Sequence, residues 1–416
     1  MGKKIKLKIY TLGCKVNQYD SGWLSAQLAG YGFELAKNGA DVAIVNTCAV
    51  TKNAIRKSRQ IISKARKENP QAKIIVIGCW PKTYKLTTSE LGVDLVVNSR
   101  ELNVIIDEVK KIFNKRESEI VLGHSVLVAN DKARYFIKIQ DGCEQFCAYC
   151  IIPFARGKIK SRLADEIIDE IKAAIERGFK EFVLTGIHLG LYGKDLGDIN
   201  LVGLLQKIVE LPNLGRVRLS SIELNEVNDD LINLIANNDK LCKHLHIPLQ
   251  SGCDKILKLM NRPYDIKFFR VRVEKIKKAM PGIALTTDVI IGFPGETEED
   301  FNIMYNFIKE INFSRLHVFP FSAHEKTKAY LMLGKVDSKE KERRAEELRE
   351  LSRGLEKKYR RGFDGKIADV LVERIVEGKY RGKTEHYFDI EFSEDQLSDK
   401  KDAVKLELKN IVKVLI

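Results

Sequence analysis

Three cysteines, Cys143, Cys147 and Cys150, fall in the run Cys-Glu-Gln-Phe-Cys-Ala-Tyr-Cys. Thiolates are soft ligands that suit zinc or iron–sulfur clusters, and a four-iron cluster ordinarily takes four of them. The local set stops at three. A cube held by three cysteines leaves one iron free to chelate a small molecule, so chemistry can be attached to the cluster. The plainer alternative is a structural zinc completed from afar by His124 or His188, although structural zinc ligands normally come as two separated pairs.

These thiols follow the alternating run Arg134–Gln140, a strand that would present them on a loop at its carboxyl end. Three further cysteines take equivalent places upstream. Ile5–Leu12 reads as a strand ending at Gly13-Cys14, with Asp20-Ser21 expected to cap a helix running to Gly30. Asp41–Asn46 is a buried strand ending at Thr47-Cys48, and a Lys/Arg-rich helix follows from Lys52 to about Lys67. Lys73–Ile77 ends at Gly78-Cys79, and Asp94–Val97 is a fourth strand. In a parallel sheet with right-handed crossovers, loops after the strands emerge at one edge, where open α/β folds bind ligands. Cys14, Cys48 and Cys79 are therefore expected to converge on a second three-cysteine cluster. Cys242 and Cys253 lack partner spacing and read as packing residues.

From Arg134 onward, strands near 134–140, 181–188, 216–223, 244–250, 284–292 and 314–321 alternate with helices beginning near Asp165, Asn200, Asp229, Asp254 and Glu298. Six such units make an incomplete parallel barrel, whose active residues would lie at the carboxyl ends of the strands. Gly186, Ser220, Glu223, Gln250 and Asp288 stand there, placed to bind parts of a cofactor over the cluster, while His188 and His246 read as structural histidines. A charged helix, Ser338 to about Arg361, leads into short strands at 368–373, 387–391, 404–408 and 411–415. These suggest a small RNA-holding β-barrel, with a dimerisation or lid module as the alternative.

A chain of 416 residues exceeds one core, and boundaries are expected to give units 1–128, 129–356 and 357–416. The formal net charge of +14 favours a polyanionic partner, nucleic acid or an anionic membrane. No long apolar run and no hydrophobic signal core follow the basic start, so a membrane partner is not expected. Eight cysteines are too few for a secreted disulfide scaffold of this length, and a reducing cytoplasm fits better.

Together these motifs resemble the methylthiotransferases of the radical S-adenosylmethionine (radical SAM) superfamily. The matching stretches are Thr11–Gln18, Asn46–Thr51, Gly78-Cys79, Asp141–Pro153 with Tyr149 before the last cysteine, Arg156-Gly157 and His246–Gly252. The resemblance implies an α/β chain with an N-terminal doubly wound parallel domain, a central partial (β/α)6 radical SAM barrel and a C-terminal RNA-binding β-barrel of the TRAM type. It implies two [4Fe-4S] clusters, SAM held near Tyr149 and the strand-end residues, a protein electron donor, and transfer of a methylthio group to adenine C2 through a 5′-deoxyadenosyl radical.

Gly13-Cys-Lys-Val-Asn-Gln18 is similar to the branch acting on N6-threonylcarbamoyladenosine at tRNA position 37, and Lys15, Asn17 and Gln18 become candidates for touching that base. The other branches act on isopentenyladenosine tRNA or on a ribosomal-protein aspartate. An iron–sulfur RNA-binding protein without turnover is a reading of a different class, which the strand-end set argues against. Two stretches depart from the family pattern: His324 and Lys326 stand where relatives usually show Arg and Gly, and Leu408–Val414 lacks a common glycine. Substrate contacts near 324 and the fold of the tail are the points these departures touch.

Overall fold

The computed structural model describes residues 4–113, 132–398 and 407–416. Its first unit is a five-stranded, wholly parallel sheet of Ile5–Thr11, Phe33–Leu35, Val42–Thr47, Lys73–Gly78 and Leu95–Val96, in the spatial order second, first, third, fourth, fifth. Every residue of Val42–Thr47 is buried, because helices cover both faces of this central strand. Leu24 and Leu28 of the Lys15–Gly30 helix and Ile105 and Val109 of Leu102–Ile112 cover one face, and Ile62 and Ala65 of Lys52–Glu68 cover the other. The strand order reverses between the first and third strands, which opens a crevice at their carboxyl ends. Cys14 and Cys48 follow those two strands.

Two features here differ from the sequence expectation. Phe33–Leu35 adds an edge strand, too short to show an alternation. The first helix begins at Lys15, with Cys14 at its N-cap position, rather than at Asp20-Ser21. Those two residues lie buried within the helix: Asp20 pairs with Arg100 and, at 2.5 Å, with Lys138, while Ser21 Oγ accepts from Thr11 (2.8 Å) and Asn46 (3.0 Å). Side chains that could cap a helix are tied instead to neighbouring elements, and tertiary bonds outweigh the local preference.

The barrel strands are Arg134–Lys138, Glu181–Thr185, Arg216–Leu219, His244–His246, Ala284–Ile291 and Arg315–Pro320. They pair in parallel as two three-stranded sheets, which the Val217–Leu241 and Ser221–His246 bridges join in sequence order. The helices begin where the polar residues indicated: Asn200 accepts from Gly203 N, Asn228 from Leu231 N, and Thr297 and Asp300 form a capping box. Between the fourth and fifth strands stand two helices, Asp254–Leu259 and Ile266–Ala279, rather than only the one whose start Asp254 marks. One continuous core fills the barrel and takes in Tyr19 from the first unit.

Ser338–Arg361 is a single helix that turns Ala345, Leu348 and Leu355 inward, and the 356/357 boundary falls inside it. The boundary at 128/129 and His124 lie outside the described residues. Ile367–Val376, Lys379–Thr384, Asp389–Phe392 and Ile411–Leu415 then form an antiparallel sheet in the order third, second, first, fourth. The sequence signals no strand at Lys379–Thr384, and the strand expected at 404–408 falls outside the described residues except for Glu407 and Leu408, which are not in a strand.

This sheet is fixed to the base of the barrel by charge. Glu181, fully buried, accepts from Arg216 Nε (2.7 Å) and Arg218 Nε (2.9 Å). The same arginines donate to main-chain oxygens of the tail: Arg216 to Asp369 and Lys383 (both 2.8 Å), Arg218 to Glu385 (2.8 Å) and Thr384 (3.0 Å). Tyr387 stacks on His244, ring centroids 4.3 Å apart, so a residue of the tail floors the barrel.

Candidate active site

The loop carrying Cys143, Cys147 and Cys150 is shaped by its glycine and by a buried amide. Gly142 has φ +77°, and a Cβ there would stand 1.8 Å from Lys158 O, so only glycine fits. Cys143 N donates to Gly157 O (3.0 Å) and Cys150 N to Cys147 O (2.9 Å). Gln140 ties two strand ends together: its Nε2 donates to Asp141 O and Gly142 O (both 2.8 Å), and its Oε1 accepts from Ile187 N (3.0 Å) and His188 N (2.9 Å). Nothing in the local sequence singles out Gln140, since it sits at the end of an ordinary strand run.

Charged side chains surround these sulfurs. His188 Nδ1 is 3.4 Å from Cys143 Sγ and its Nε2 is 3.0 Å from Glu226. Although burial opposes it, these two bonds carry His188 up to about 10, so the ring is tied to both the cysteine loop and Glu226. Arg262 Nη1 stands 3.4 Å from Cys147 Sγ and 3.5 Å from Tyr149 OH, and Arg262 Nη2 pairs with Glu223. Glu223 is therefore committed to Arg262. Burial pushes the Cys150 thiol up to about 12, so metal loading there displaces a proton.

The second triplet gathers as the strand order requires. Cys48 is buried with its thiol pushed up to about 11, chiefly by burial and in part by the nearby Cys79 and Cys14. A Cβ on Gly13, which has φ +100°, would lie 3.2 Å from Cys48 Sγ, so the two loops meet at close range. Asn17 binds them, donating to Leu12 O (2.8 Å) and Thr47 O (3.1 Å), with its Oδ1 4.0 Å from Cys79 Sγ. That same Oδ1 accepts from Arg156 (2.6 Å) on the Ile152–Arg156 helix beyond Cys150. Arg156 Nη2 is also 3.9 Å from Cys14 Sγ, and its Nη1 meets Asp141 at 2.7 Å. Against its burial, Arg156 and Lys138 hold the Asp141 carboxyl well below the usual range. One arginine thus links the two cysteine loops.

Beside Cys150 lies a cavity of about 220 Å³ lined by Val50 and Thr51 from the first unit and by Tyr149, Cys150, Gln250 and Asp288 from the barrel. Of the strand-end candidates it gathers Gln250 and Asp288, with Tyr149, and not Gly186, Ser220 or Glu223. Gly186 has a packing reason, since a Cβ there would stand 3.0 Å from Gln140 Oε1. Ser220 Oγ is buried without a protein partner. Asp288 is oriented by His246 Nε2 at 3.2 Å, whose Nδ1 is held by Thr286 (2.9 Å). A wider cleft of about 910 Å³, between the starts of the Ala164–Glu176 and Leu201–Val209 helices, includes none of the cysteines and is set aside on that ground.

Lys15 is not a solvated loop residue. It opens the first helix and projects deep into the molecule beside Tyr387, Arg134, Arg218 and Glu181, and burial lowers its pKa. It keeps some solvent access, and among the described residues its ammonium has no ion-pair partner. Burial, then Arg218, His246, Lys15 and Lys383, push His244 well below its ordinary value, which marks a positive interior. Asn17 and Gln18 turn elsewhere: Asn17 is spent on the scaffold, and Gln18 accepts from Lys132. The departures at 324 and 326 also serve the scaffold, His324 Nε2 donating to Val50 O (2.8 Å), its Nδ1 accepting from Tyr84 (3.3 Å), and Lys326 donating to Thr83 O.

The donor set fits two clusters. All eight cysteines are free, and six stand in two triplets whose members sense one another's charge.

A radical SAM superfamily model matches residues 137–308, and a model described as uncharacterized protein family UPF0004 matches residues 6–98. The chain is 39% identical over 402 residues to the threonylcarbamoyladenosine tRNA methylthiotransferase MtaB of Bacillus subtilis, covering 92% of this chain and 89% of that one. It is 38% identical to the enzyme of that name from Thermotoga maritima, over 93% and 91% of the two chains. It is 35% identical to a tRNA-2-methylthio-N(6)-dimethylallyladenosine synthase of Clostridium perfringens, over 95% and 93%. Among solved structures, the radical SAM methyltransferase TsrM of Kitasatospora setae shares the fold, with a TM-score of 0.60 at 14% identity over 79% of this chain and 77% of that one. With two cysteine triplets linked through Arg156 and relatives that match along nearly its whole length, the chain belongs to the radical SAM methylthiotransferases.

Proposed function

We propose that this enzyme adds a methylthio group to C2 of N6-threonylcarbamoyladenosine at position 37 of tRNA, in the cytoplasm, drawing electrons from a separate donor protein. Residues 1–128 act as the sulfur-carrying domain, 129–356 as the radical SAM barrel and 357–416 as an RNA-holding module. When bound, the two clusters and SAM supply the electron, the radical, the sulfur and the methyl group.

The chain's own residues divide the remaining work. Cys143, Cys147 and Cys150 hold one cluster and Cys14, Cys48 and Cys79 the other. Tyr149, Gln250 and Asp288 offer polar groups to SAM at the cavity, with His246 fixing the Asp288 carboxylate. Ser220, outside the lining of that cavity, is left without an assigned contact. Ile151, Ile152, Ile290, Phe319 and Phe321 line the cavity and keep water from the reacting carbon.

Lys15 carries the choice of substrate. A half-buried ammonium with no ion-pair partner among the described residues attracts an anion, and the carboxylate of threonylcarbamoyladenosine would neutralise it, whereas a dimethylallyl chain is only hydrocarbon. A hydrogen bond to a charged group contributes about 1.5–3 kcal/mol, or roughly tenfold to a hundredfold in rate. Lys15→Met should lose that factor in turnover of threonylcarbamoyladenosine tRNA, read by mass spectrometry of digested nucleosides, while iron content and SAM cleavage persist. Preferential turnover of dimethylallyladenosine tRNA by the wild-type enzyme would overturn the assignment.

A further inference from the structure

The Lys52–Glu68 helix has 17 residues, about 25 Å of rise, and starts directly after Thr51 at the wall of the cavity. Its outward face presents Lys52, Arg56, Lys57, Arg59, Lys64 and Lys67. The single acidic residue, Glu68, is turned to Lys8 (2.9 Å) and Tyr10 (2.5 Å), with Lys64 at 3.6 Å. Among the described residues Lys52, Arg56, Lys57, Arg59 and Lys67 form no ion pair. Like charges three or four residues apart, as in Lys52–Arg56, Arg56–Arg59 and Lys64–Lys67, cost about 0.2–0.5 kcal/mol a pair. The fold takes little in return: Arg59 lies over the Trp80 ring at 5.2 Å and Arg56 donates to Asn53 (3.0 Å), while the side chains remain exposed.

The Ser338–Arg361 helix handles the arginines of its middle turns differently, although Lys339, Lys341, Lys357, Lys358, Arg360 and Arg361 form no ion pair among the described residues. Its Arg343, Arg344, Arg349 and Arg353 all meet glutamates, among them Arg344–Glu296 at 2.7 Å and Arg349–Glu342 at 2.7 Å. On the Lys52–Glu68 helix only Lys64, with Glu68 at 3.6 Å, and Arg66, with Asp94 at 3.6 Å, meet a carboxylate among the described residues. The remaining residues of its outer face, Asn53, Gln60 and Ser63, are polar, so it lacks the apolar core that a protein partner would bury. Its chemistry fits a row of phosphates.

We propose that this face is an RNA-backbone track, separate from the C-terminal sheet, along which tRNA phosphates lie as the modified nucleotide enters the cavity. The proposal rests on the reading of tRNA as substrate. The track begins where the main chain of Lys52 is itself fixed, its N donating to Ser322 Oγ at 3.0 Å, so the cations keep a set position relative to the mouth.

Salt dependence tests it. Each phosphate contact contributes about 0.7–0.9 to the slope of log K against log salt. In the full-length, cluster-loaded enzyme, the triple variant Arg56→Gln/Lys57→Gln/Lys67→Gln should flatten that slope for tRNA by about 2. A charge-matched triple on the other helix, Lys339→Gln/Arg349→Gln/Arg353→Gln, should leave it unchanged, and SAM cleavage should be the same in all three proteins. A wild-type slope in the first variant overturns the track while tRNA remains the substrate. A wild-type enzyme without salt-dependent tRNA binding would instead remove the substrate reading itself. Should the first variant keep its slope and lose only reduction by an acidic electron-transfer protein, the face is a donor's dock and the proposal fails.

Discussion

Replacing Glu181 with Gln removes the carboxylate that bridges Arg216 and Arg218, which are 4% and 1% exposed, and leaves two buried guanidinium groups with only Glu385, 4.0 Å from Arg216, as an ion-pair partner among the described residues. The cost can be worked in two ways. Breaking a buried pair so that a charge is left uncompensated costs about 3–5 kcal/mol. Independently, the two arginines outweigh the burial of Glu181 and hold its carboxyl at about 2 against an ordinary 4.5. At 1.36 kcal/mol per pH unit, that gap is about 3 kcal/mol. Because the native pKa is depressed, the stabilisation is complete above pH 4.5 and is lost as pH falls towards 2. Arg218→Met should cost less, about 1–3 kcal/mol, since it leaves Arg216 and Glu181 matched and orphans only the carbonyls of Thr384 and Glu385. Urea unfolding at neutral pH, with limited proteolysis to follow release of the tail, should rank wild type above Arg218→Met above Glu181→Gln. A reversed rank, or a Glu181→Gln loss below about 1 kcal/mol, would refute the electrostatic account.

Other outcomes follow from the same geometry. Anaerobically reconstituted protein should hold roughly eight irons, as two four-iron clusters require, and replacing Cys143, Cys147 and Cys150 with Ala should halve that; an unchanged count would break the assignment. Cys48→Ala should still cleave SAM but form no methylthio product, whereas Cys147→Ala should do neither; product from the Cys48 variant would take the sulfur role away from the first domain. Removing residues 358–416 should lower the melting temperature of the barrel, because Arg216 and Arg218 lose their carbonyl acceptors, and an unchanged midpoint would show those bonds to be dispensable. His324 is buried and its pKa lies below the ordinary 6.5, so its docking of Val50 to Tyr84 is at full strength above that value and is lost as pH falls below it. The wild type should therefore lose more thermal stability than His324→Gln between about pH 7 and pH 5, and equal losses would clear His324.

Much of the site could be read from the chain because cysteine spacing and strand ends are local signals. Cys14, Cys48 and Cys79 each follow a strand of one parallel sheet, so topology alone brings them to one edge. What escaped were residues whose role depends on a distant partner. Arg156 reaches Asn17 across 139 positions, and His324 reaches Val50 across 274. Glu223 looked like a free carboxylate at a strand end, and no local pattern shows that Arg262, 39 residues on, neutralises it. Asp20 misled in a similar way: its type suggests a cap, and only the fold reveals Arg100 and Lys138 beside it. Lys15, expected on the loop beside Cys14, instead opens the helix, which starts five residues earlier than the sequence indicates.

The carbonyls that complete Arg216 and Arg218 have a consequence for how the chain is made. The last barrel strand ends at Pro320, but the acceptor at Glu385 lies 65 residues further on (385 − 320). At about 5–20 residues per second of synthesis, the nascent barrel waits on the order of 3–13 seconds with its basal arginines only half satisfied. The first domain, whose sheet draws on residues 5–96, can close long before that. Maturation is therefore ordered from one end to the other, with the tail as its final clasp. A ribosome that stalls or terminates before Thr384 releases a barrel whose base is still open, a species suited to capture by chaperones or proteases.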